Sequence, residues 1–243
     1  MILNKTVIVT GATSGLGLAI SDALIKDGYR VIGIGRQEKS DFLKLKDQYP
    51  NNLFFIKFNL SNIEEIRHIA KDLITNFGPI YGLVNNAALG YDGILATMHD
   101  SQISEMIRVN LEAPIYLTKY LSRSMLMQRQ GRIINISSII AQSGFNGLSV
   151  YGATKSSLIG FSKSLAREVG KVGITVNSVA PGFMHTAMTS GLNKTQLESI
   201  VRRSPMQALA SVHDVASTIK FLMSDEAKMI TGTTITVDAG STC

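Results

Sequence analysis

Tyr151 and Lys155 stand four residues apart in Tyr151-Gly152-Ala153-Thr154-Lys155, a spacing that puts a phenol and an ammonium on one face of a helix. A cation beside a phenol favours the phenolate, so the pair predicts a Tyr151 pKa below the unperturbed ~10 and a group able to give and take a proton near neutrality. Thirteen residues earlier, Ser138 closes an apolar β-branched run, a position from which its hydroxyl can meet the same reacting oxygen. Asn110 precedes Pro114 by four residues. Proline has no N–H, so the Asn110 carbonyl loses its helical partner and is free for a water or a side chain; a tolerated kink is the alternative.

A second group of residues points to a nucleotide. Thr10-Gly11-Ala12-Thr13-Ser14-Gly15-Leu16-Gly17 follows a strand-like run and opens a helical one. Glycines at such a turn let the backbone reverse tightly and let a pyrophosphate lie on the helix N-terminus, where free N–H groups favour negative charge. About 20 positions on, an acid would hold the ribose 2′-hydroxyl of NAD. That place reads Gly35-Arg36, and a guanidinium fork suits a 2′-phosphate, hence NADP; a solvated strand-end arginine is the other reading.

The elements that must position these groups are legible as alternation. Strands are expected at Thr6–Val9, Arg30–Ile34, Leu53–Phe58, Ile80–Val84, Arg132–Ile136, Ile174–Val179 and Thr233–Val237. Helical periods lie between them: one with Ile20, Ala23 and Leu24 inward that stops at Asp27-Gly28, one from Ile63 to Phe77, a long one over 101–130, and one over 150–169. Ser61-Asn62-Ile63-Glu64 has the form of a capping box. Alternation of this kind predicts an α/β fold: a single doubly wound Rossmann-type domain over 1–243, with a seven-stranded parallel sheet, helices on both faces and an irregular insert at about 183–204.

Composition narrows the classes. Lys and Arg number 24 against 18 Asp and Glu, a formal net charge of +6, but the cations are scattered, which disfavours nucleic acid as a partner. With 45% hydrophobic residues the chain is too apolar for disorder, and no apolar run reaches the ~18 residues that span a bilayer. The single cysteine, Cys243, leaves no internal disulfide or Cys-rich zinc site, and the four histidines lack metal-ligand spacing. No secretory signal is recognisable, so a cytoplasmic location is expected.

Taken with Asn85-Asn86-Ala87-Ala88 and Pro181-Gly182, these motifs make the chain resemble the short-chain dehydrogenase/reductase family from about Asn4 to Gly240. Within that family it is most similar to the bacterial 3-oxoacyl-acyl-carrier-protein reductases, through Gly131–Ser138, Gly160–Glu168 and Gly173–Phe183. The resemblance implies that Tyr151 protonates a carbonyl as hydride arrives from NADPH, that Ser138 holds its oxygen, that Lys155 binds the ribose, and that Asn110 holds a relay water. It further implies cofactor contacts from Gly11, Thr13, Ser14, Gly15, Leu16, Gly17 and Arg36, with Asn59 and Leu60 along the adenine, Asn86 and Ala87 near the ribose, and Pro181, Gly182 and Thr186 near the nicotinamide. Carrier docking would fall to Arg129 and Lys171, and a homotetramer is the family expectation. Ser14, however, stands where a basic residue is common, and Met206–Ala210 departs from the usual Gly-Arg-Leu-Gly. Three readings follow: reduction of a carrier-bound 3-oxoacyl thioester, turnover of a free small alcohol or ketone, or a nucleotide-binding regulator without turnover. An intact Ser138, Tyr151 and Lys155 set argues against the last.

Overall fold

In the computed structural model, residues 5–184 and 194–243 are described. The chain runs β1 (Thr6–Thr10), α1 (Gly15–Lys26), β2 (Arg30–Gly35), α2 (Ser40–Gln48), β3 (Leu53–Lys57), α3 (Ile66–Phe77), β4 (Ile80–Asn85), α4 (Asp100–Ile107), α5 (Ala113–Gln128), β5 (Gly131–Ile136), α6 (Ile140–Ser143), α7 (Ser149–Val169), β6 (Ile174–Pro181), α8 (Lys194–Arg203), α9 (Val212–Met223) and β7 (Thr234–Val237). The sheet order is β3-β2-β1-β4-β5-β6-β7, parallel throughout. Both faces are covered, so the strands are continuous apolar runs instead of alternating ones. In β1, Val7 and Val9 pack in one apolar cluster with residues of α1, α2 and α9, while Ile8 packs in the other with α3, α5 and α7. Each fully buried Ile or Leu of these clusters contributes about 1.5–3 kcal/mol. From β1 the chain moves outward through β2 and β3, then returns to β4 on the other side of β1. The loops after β1 and β4 therefore part, and a crevice opens at the carboxyl ends of those strands.

Several local expectations need correction. The stretch 101–130 is not one α-helix: α4 ends at Ile107, a π-helical segment occupies Arg108–Glu112, and α5 begins with Pro114 in its first turn. The missing proline N–H and the ring bulk widen the turn around Asn110. Ser61 caps nothing. Its amide is taken by the Asn59 Oδ1 at 3.1 Å, and a short 3₁₀ turn, Ile63–Glu65, leads into α3 with no side-chain cap. The capping box is at Ser211 and Asp214 instead, where the Ser211 hydroxyl accepts from the Asp214 amide and the Asp214 carboxylate accepts from the Ser211 amide. Helix α2 carries no clear period in the sequence, because only Phe42 and Leu45 bury on it. The insert is not wholly irregular, since its described part holds α8.

Candidate active site

The turn after β1 is shaped by glycine. Gly11 has φ +65° and Gly15 φ +53°, conformations that carry little cost only without a Cβ. A Cβ on Gly17 would lie 2.1 Å from the Gly11 carbonyl oxygen and 2.7 Å from Asn86 Nδ2. Nothing larger than glycine therefore lets α1 begin this close to β1. Asn86 closes the other side: its Nδ2 donates to the Thr10 carbonyl at 2.8 Å, and the Thr10 hydroxyl accepts from the amides of Asn86 and Ala87, both at 2.9 Å. The turns after β1 and β4 are thus bound into one floor, with the start of α1 facing the crevice.

The crevice is a cleft of about 920 Å³. At one end stand Thr13, Ser14, Arg36, Asn59 and Leu60; Gly11, Gly15, Leu16, Gly17, Asn86 and Ala87 line its middle; Ser138, Tyr151, Lys155, Pro181 and Gly182 line the other end. Gly182 is held against the turn after β7, where an added Cβ would come 2.7 Å from Asp238 Cβ. The bare glycine cradle fits a pyrophosphate, and the length and polarity of the cleft fit a dinucleotide.

At the second end, β5 delivers Ser138 and α7 delivers Tyr151 and Lys155. The Ser137 hydroxyl donates to the Lys155 carbonyl at 2.8 Å, which fixes the helix against the strand end. Lys155 is buried, its Nζ donating to the Ile136 carbonyl at 2.7 Å, and burial brings its pKa down from 10.5 to about 8. Tyr151 is hydrogen-bonded to Ser138. Its pKa lies above the ordinary 10, because withdrawal from water disfavours the phenolate more than the Ser138 hydrogen bond favours it. The lowering expected from Lys155 is not delivered by this fold. Its ammonium is turned to Ile136 and sits 5.7 Å from the centroid of the Tyr151 ring.

Other expected residues stand elsewhere. Asn110 is fully buried and outside the cleft lining: its Oδ1 accepts from the Leu89 amide at 2.7 Å, and its Nδ2 donates to the Leu89 carbonyl at 2.8 Å and to Thr154 Oγ1 at 3.2 Å. The side chain thus pins the loop after β4 to α7, a role that the spacing to Pro114 did not suggest. Arg129 and Lys171 belong to neighbouring turns, since a Cβ on Gly173, two residues after Lys171, would be 2.9 Å from the Arg129 carbonyl. They precede β5 and β6, whereas Ser138 follows β5, so positive charge at this chain's own cleft mouth is not what they supply. The length of a strand, roughly 20 Å, separates them from it. Thr186 lies outside the described residues. Among the described residues no group of His, Cys, Asp and Glu could hold a metal ion, and no helix is long and apolar enough to cross a membrane.

Three further features of the cleft were not read from the sequence. Lys39 lines it and donates to the Ser14 hydroxyl at 3.1 Å. Glu105 lines it and accepts from the Tyr91 hydroxyl at 2.6 Å. Phe145 and Phe183 meet edge to face at 5.8 Å beside Leu148 and Met184 at the Ser138 end. Each joins segments far apart in sequence; only an aromatic residue after Pro181-Gly182 hinted at any of them.

The family model described as Enoyl-(Acyl carrier protein) reductase matches residues 11–242. The 3-oxoacyl-[acyl-carrier-protein] reductases FabG of Salmonella typhimurium and of Escherichia coli are each 39% identical over 236 residues, covering 97% of this chain and 96% of theirs. A solved structure from Beutenbergia cavernae, described as an NAD(P)-dependent gluconate 5-dehydrogenase with bound NADP at low occupancy, matches with a TM-score of 0.92 at 28% identity, over 98% of this chain and 96% of that one. With the glycine turn, the parallel sheet and the family match agreeing along nearly its whole length, the chain belongs to the short-chain dehydrogenase/reductase family of oxidoreductases.

Proposed function

We propose that this chain reduces a 3-oxoacyl thioester, carried on an acyl carrier protein, to the 3-hydroxyacyl thioester with NADPH. The observation that carries the substrate class is the wall beside Ser138 and Tyr151. Phe145, Phe183, Leu148 and Met184 give it apolar surface, and the exposed Ile94 and Leu95 follow Gly93, whose amide donates to the Gly147 carbonyl at 3.0 Å. An acyl chain buries against such a wall, whereas a polyol placed there would have Asn146 as its polar partner beside Phe145 and Leu148 and would leave most of its hydroxyls against apolar surface. The 39% identity to 3-oxoacyl reductases supports the same reading.

The residues divide the work along the cleft. Gly11, Gly15 and Gly17 leave the start of α1 open to a pyrophosphate, with Thr13 and Leu16 flanking it, and Arg36 meets a 2′-phosphate. Asn59 and Leu60 border the adenine, Asn86 and Ala87 the ribose, Pro181 and Gly182 the nicotinamide. When bound, NADPH supplies the hydride. Ser138 donates to the ketone oxygen and keeps it within reach of the Tyr151 hydroxyl, which gives its proton to that oxygen as the C–O double bond becomes single. A phenol with a raised pKa is in its protonated form at neutral pH, the form a reductase requires. Lys155, still mainly cationic at pH 7, binds the ribose, and the Ser138 hydrogen bond favours the phenolate that remains. The Asn110 side chain is committed to Leu89 and Thr154, so its part in a proton relay falls to the backbone carbonyl beside Pro114.

The test compares NADPH consumption with a short 3-oxoacyl thioester and with 5-keto-gluconate. A clear kcat/KM preference for the thioester is expected. Preference for the keto-polyol would overturn the substrate assignment and leave a free-ketone reductase in its place.

A further inference from the structure

The adenosine end of the cleft holds more positive charge than its sequence motifs announce. Arg36 is exposed there, and Ser14 occupies the turn position at which a cation would be useful. A phosphate monoester carries a charge of about −1.5 to −2 at pH 7, more than one guanidinium offsets. The fold brings a second cation from outside the turn: Lys39, at the N-cap of α2, lines the same cleft and donates from Nζ to the Ser14 hydroxyl at 3.1 Å. The acids nearest Lys39 in sequence are engaged elsewhere. Glu38 pairs with Lys46 at 2.7 Å and Asp41 with Lys44 at 3.1 Å, which leaves the Lys39 ammonium directed to Ser14. Ser14 accepts from Lys39 through a lone pair and so keeps its own O–H to donate.

We infer that Lys39, held on Ser14, is a specificity-determining residue that joins Arg36 on the 2′-phosphate of the cofactor, replacing a cation missing from the glycine turn. The inference rests on the NADPH reading above. Ammonium, guanidinium and hydroxyl then present three donors to one dianion, each charge-assisted. Asp92 and Glu105 also line the cleft, and the Tyr91 hydrogen bond to Glu105 occupies one carboxylate oxygen there. The pair of cations favours a nucleotide that carries a 2′-phosphate over one that does not.

The experiment measures binding, by protein fluorescence, of NADPH, NADH and adenosine 2′,5′-bisphosphate to the unmutated chain, Lys39→Ala, Lys39→Arg, Ser14→Ala and Arg36→Ala. Lys39→Ala is expected to weaken NADPH and the bisphosphate about tenfold while leaving NADH unchanged, a loss that Lys39→Arg largely restores. Ser14→Ala should give a smaller loss of the same selectivity. If Lys39→Ala leaves the NADPH to NADH ratio intact while Arg36→Ala lowers it, Lys39 has no such role and the NADPH reading stands. If the unmutated chain binds both cofactors equally, the NADPH reading itself falls, and this inference with it.

Discussion

The two ends of the parallel sheet each pair a tyrosine with a cation, to opposite effect. At the amino ends, the Arg132 guanidinium lies 5.5 Å from the centroid of Tyr81 and donates to the Ser224 carbonyl and Asp225, while the Lys5 ammonium sits 4.2 Å from the same centroid. Tyr29 stacks on Tyr81 at 6.1 Å, and both phenols donate to the Met223 carbonyl at 2.9 Å. Burial pushes Tyr81 up to about 12 and Tyr29 higher still. Each hydroxyl there has a protein acceptor, and the cluster ties β2, β4 and β5 to the end of α9. At the carboxyl ends, Tyr151 and Lys155 are also crowded, but they line a cleft, and among the described residues the Tyr151 hydroxyl is hydrogen-bonded to Ser138. A phenol and a cation make structure where every donor is spent and chemistry where one is kept for a substrate.

Substitutions should separate the two ends. Lys155→Met is expected to lower kcat/KM by ~10–10², the usual loss when one charged hydrogen-bond donor to a bound ribose is removed. It should not lower the melting temperature at pH 7. The folded Lys155 pKa of about 8 lies below its ordinary 10.5, so the folded chain binds fewer protons between those values, and the stability penalty is full below pH 8 and lifts as pH rises to 10.5. By the same titration, kcat/KM of the unmutated enzyme should fall as pH rises through 8; a pH profile that is flat from 7 to 9 would show that the charge is not needed. Arg132→Leu should do the reverse, with turnover preserved and stability reduced by about 1–3 kcal/mol in urea unfolding, as the buried Tyr81 ring and the Gly131 carbonyl lose their cation. The smallest change is expected after α8, where Gln207 holds φ +50° and its amide donates to the Ser204 carbonyl. Gln207→Gly should raise stability by roughly 0.5–1 kcal/mol by relieving a left-handed conformation, with kcat unaltered.

Legibility in the sequence followed how local each cause was. Tyr151 and Lys155 share a helix turn, and the glycines of the first turn are consecutive constraints on one reversal, so type and spacing were enough. Strand alternation was equally local, and the seven strands stand within a residue or two of expectation. The Arg132 and Tyr81 cluster, Lys39 on Ser14 and the Phe145 wall depend on residues 25 or more positions apart meeting in space. No spacing rule reports such meetings. The sequence marks Asn110 by the carbonyl that Pro114 frees, yet its side chain is the fixed part, because Leu89 and Thr154 reach it only once the loop after β4 and α7 are side by side. The Tyr151 shift had the wrong sign for a related reason: spacing predicted a nearby charge but carried no information on burial.

The most direct test sets the two tyrosines against each other in one assay of NADPH-dependent 3-oxoacyl thioester reduction. Tyr151→Phe removes the proton donor and keeps the ring, so kcat should drop by ~10²–10⁴ with cofactor binding unchanged, whereas Tyr81→Phe should keep its turnover and lose about 1 kcal/mol of stability. Near-normal turnover by Tyr151→Phe, or a comparable catalytic loss in a folded Tyr81→Phe, would contradict the assignment of chemistry to the carboxyl ends of the sheet.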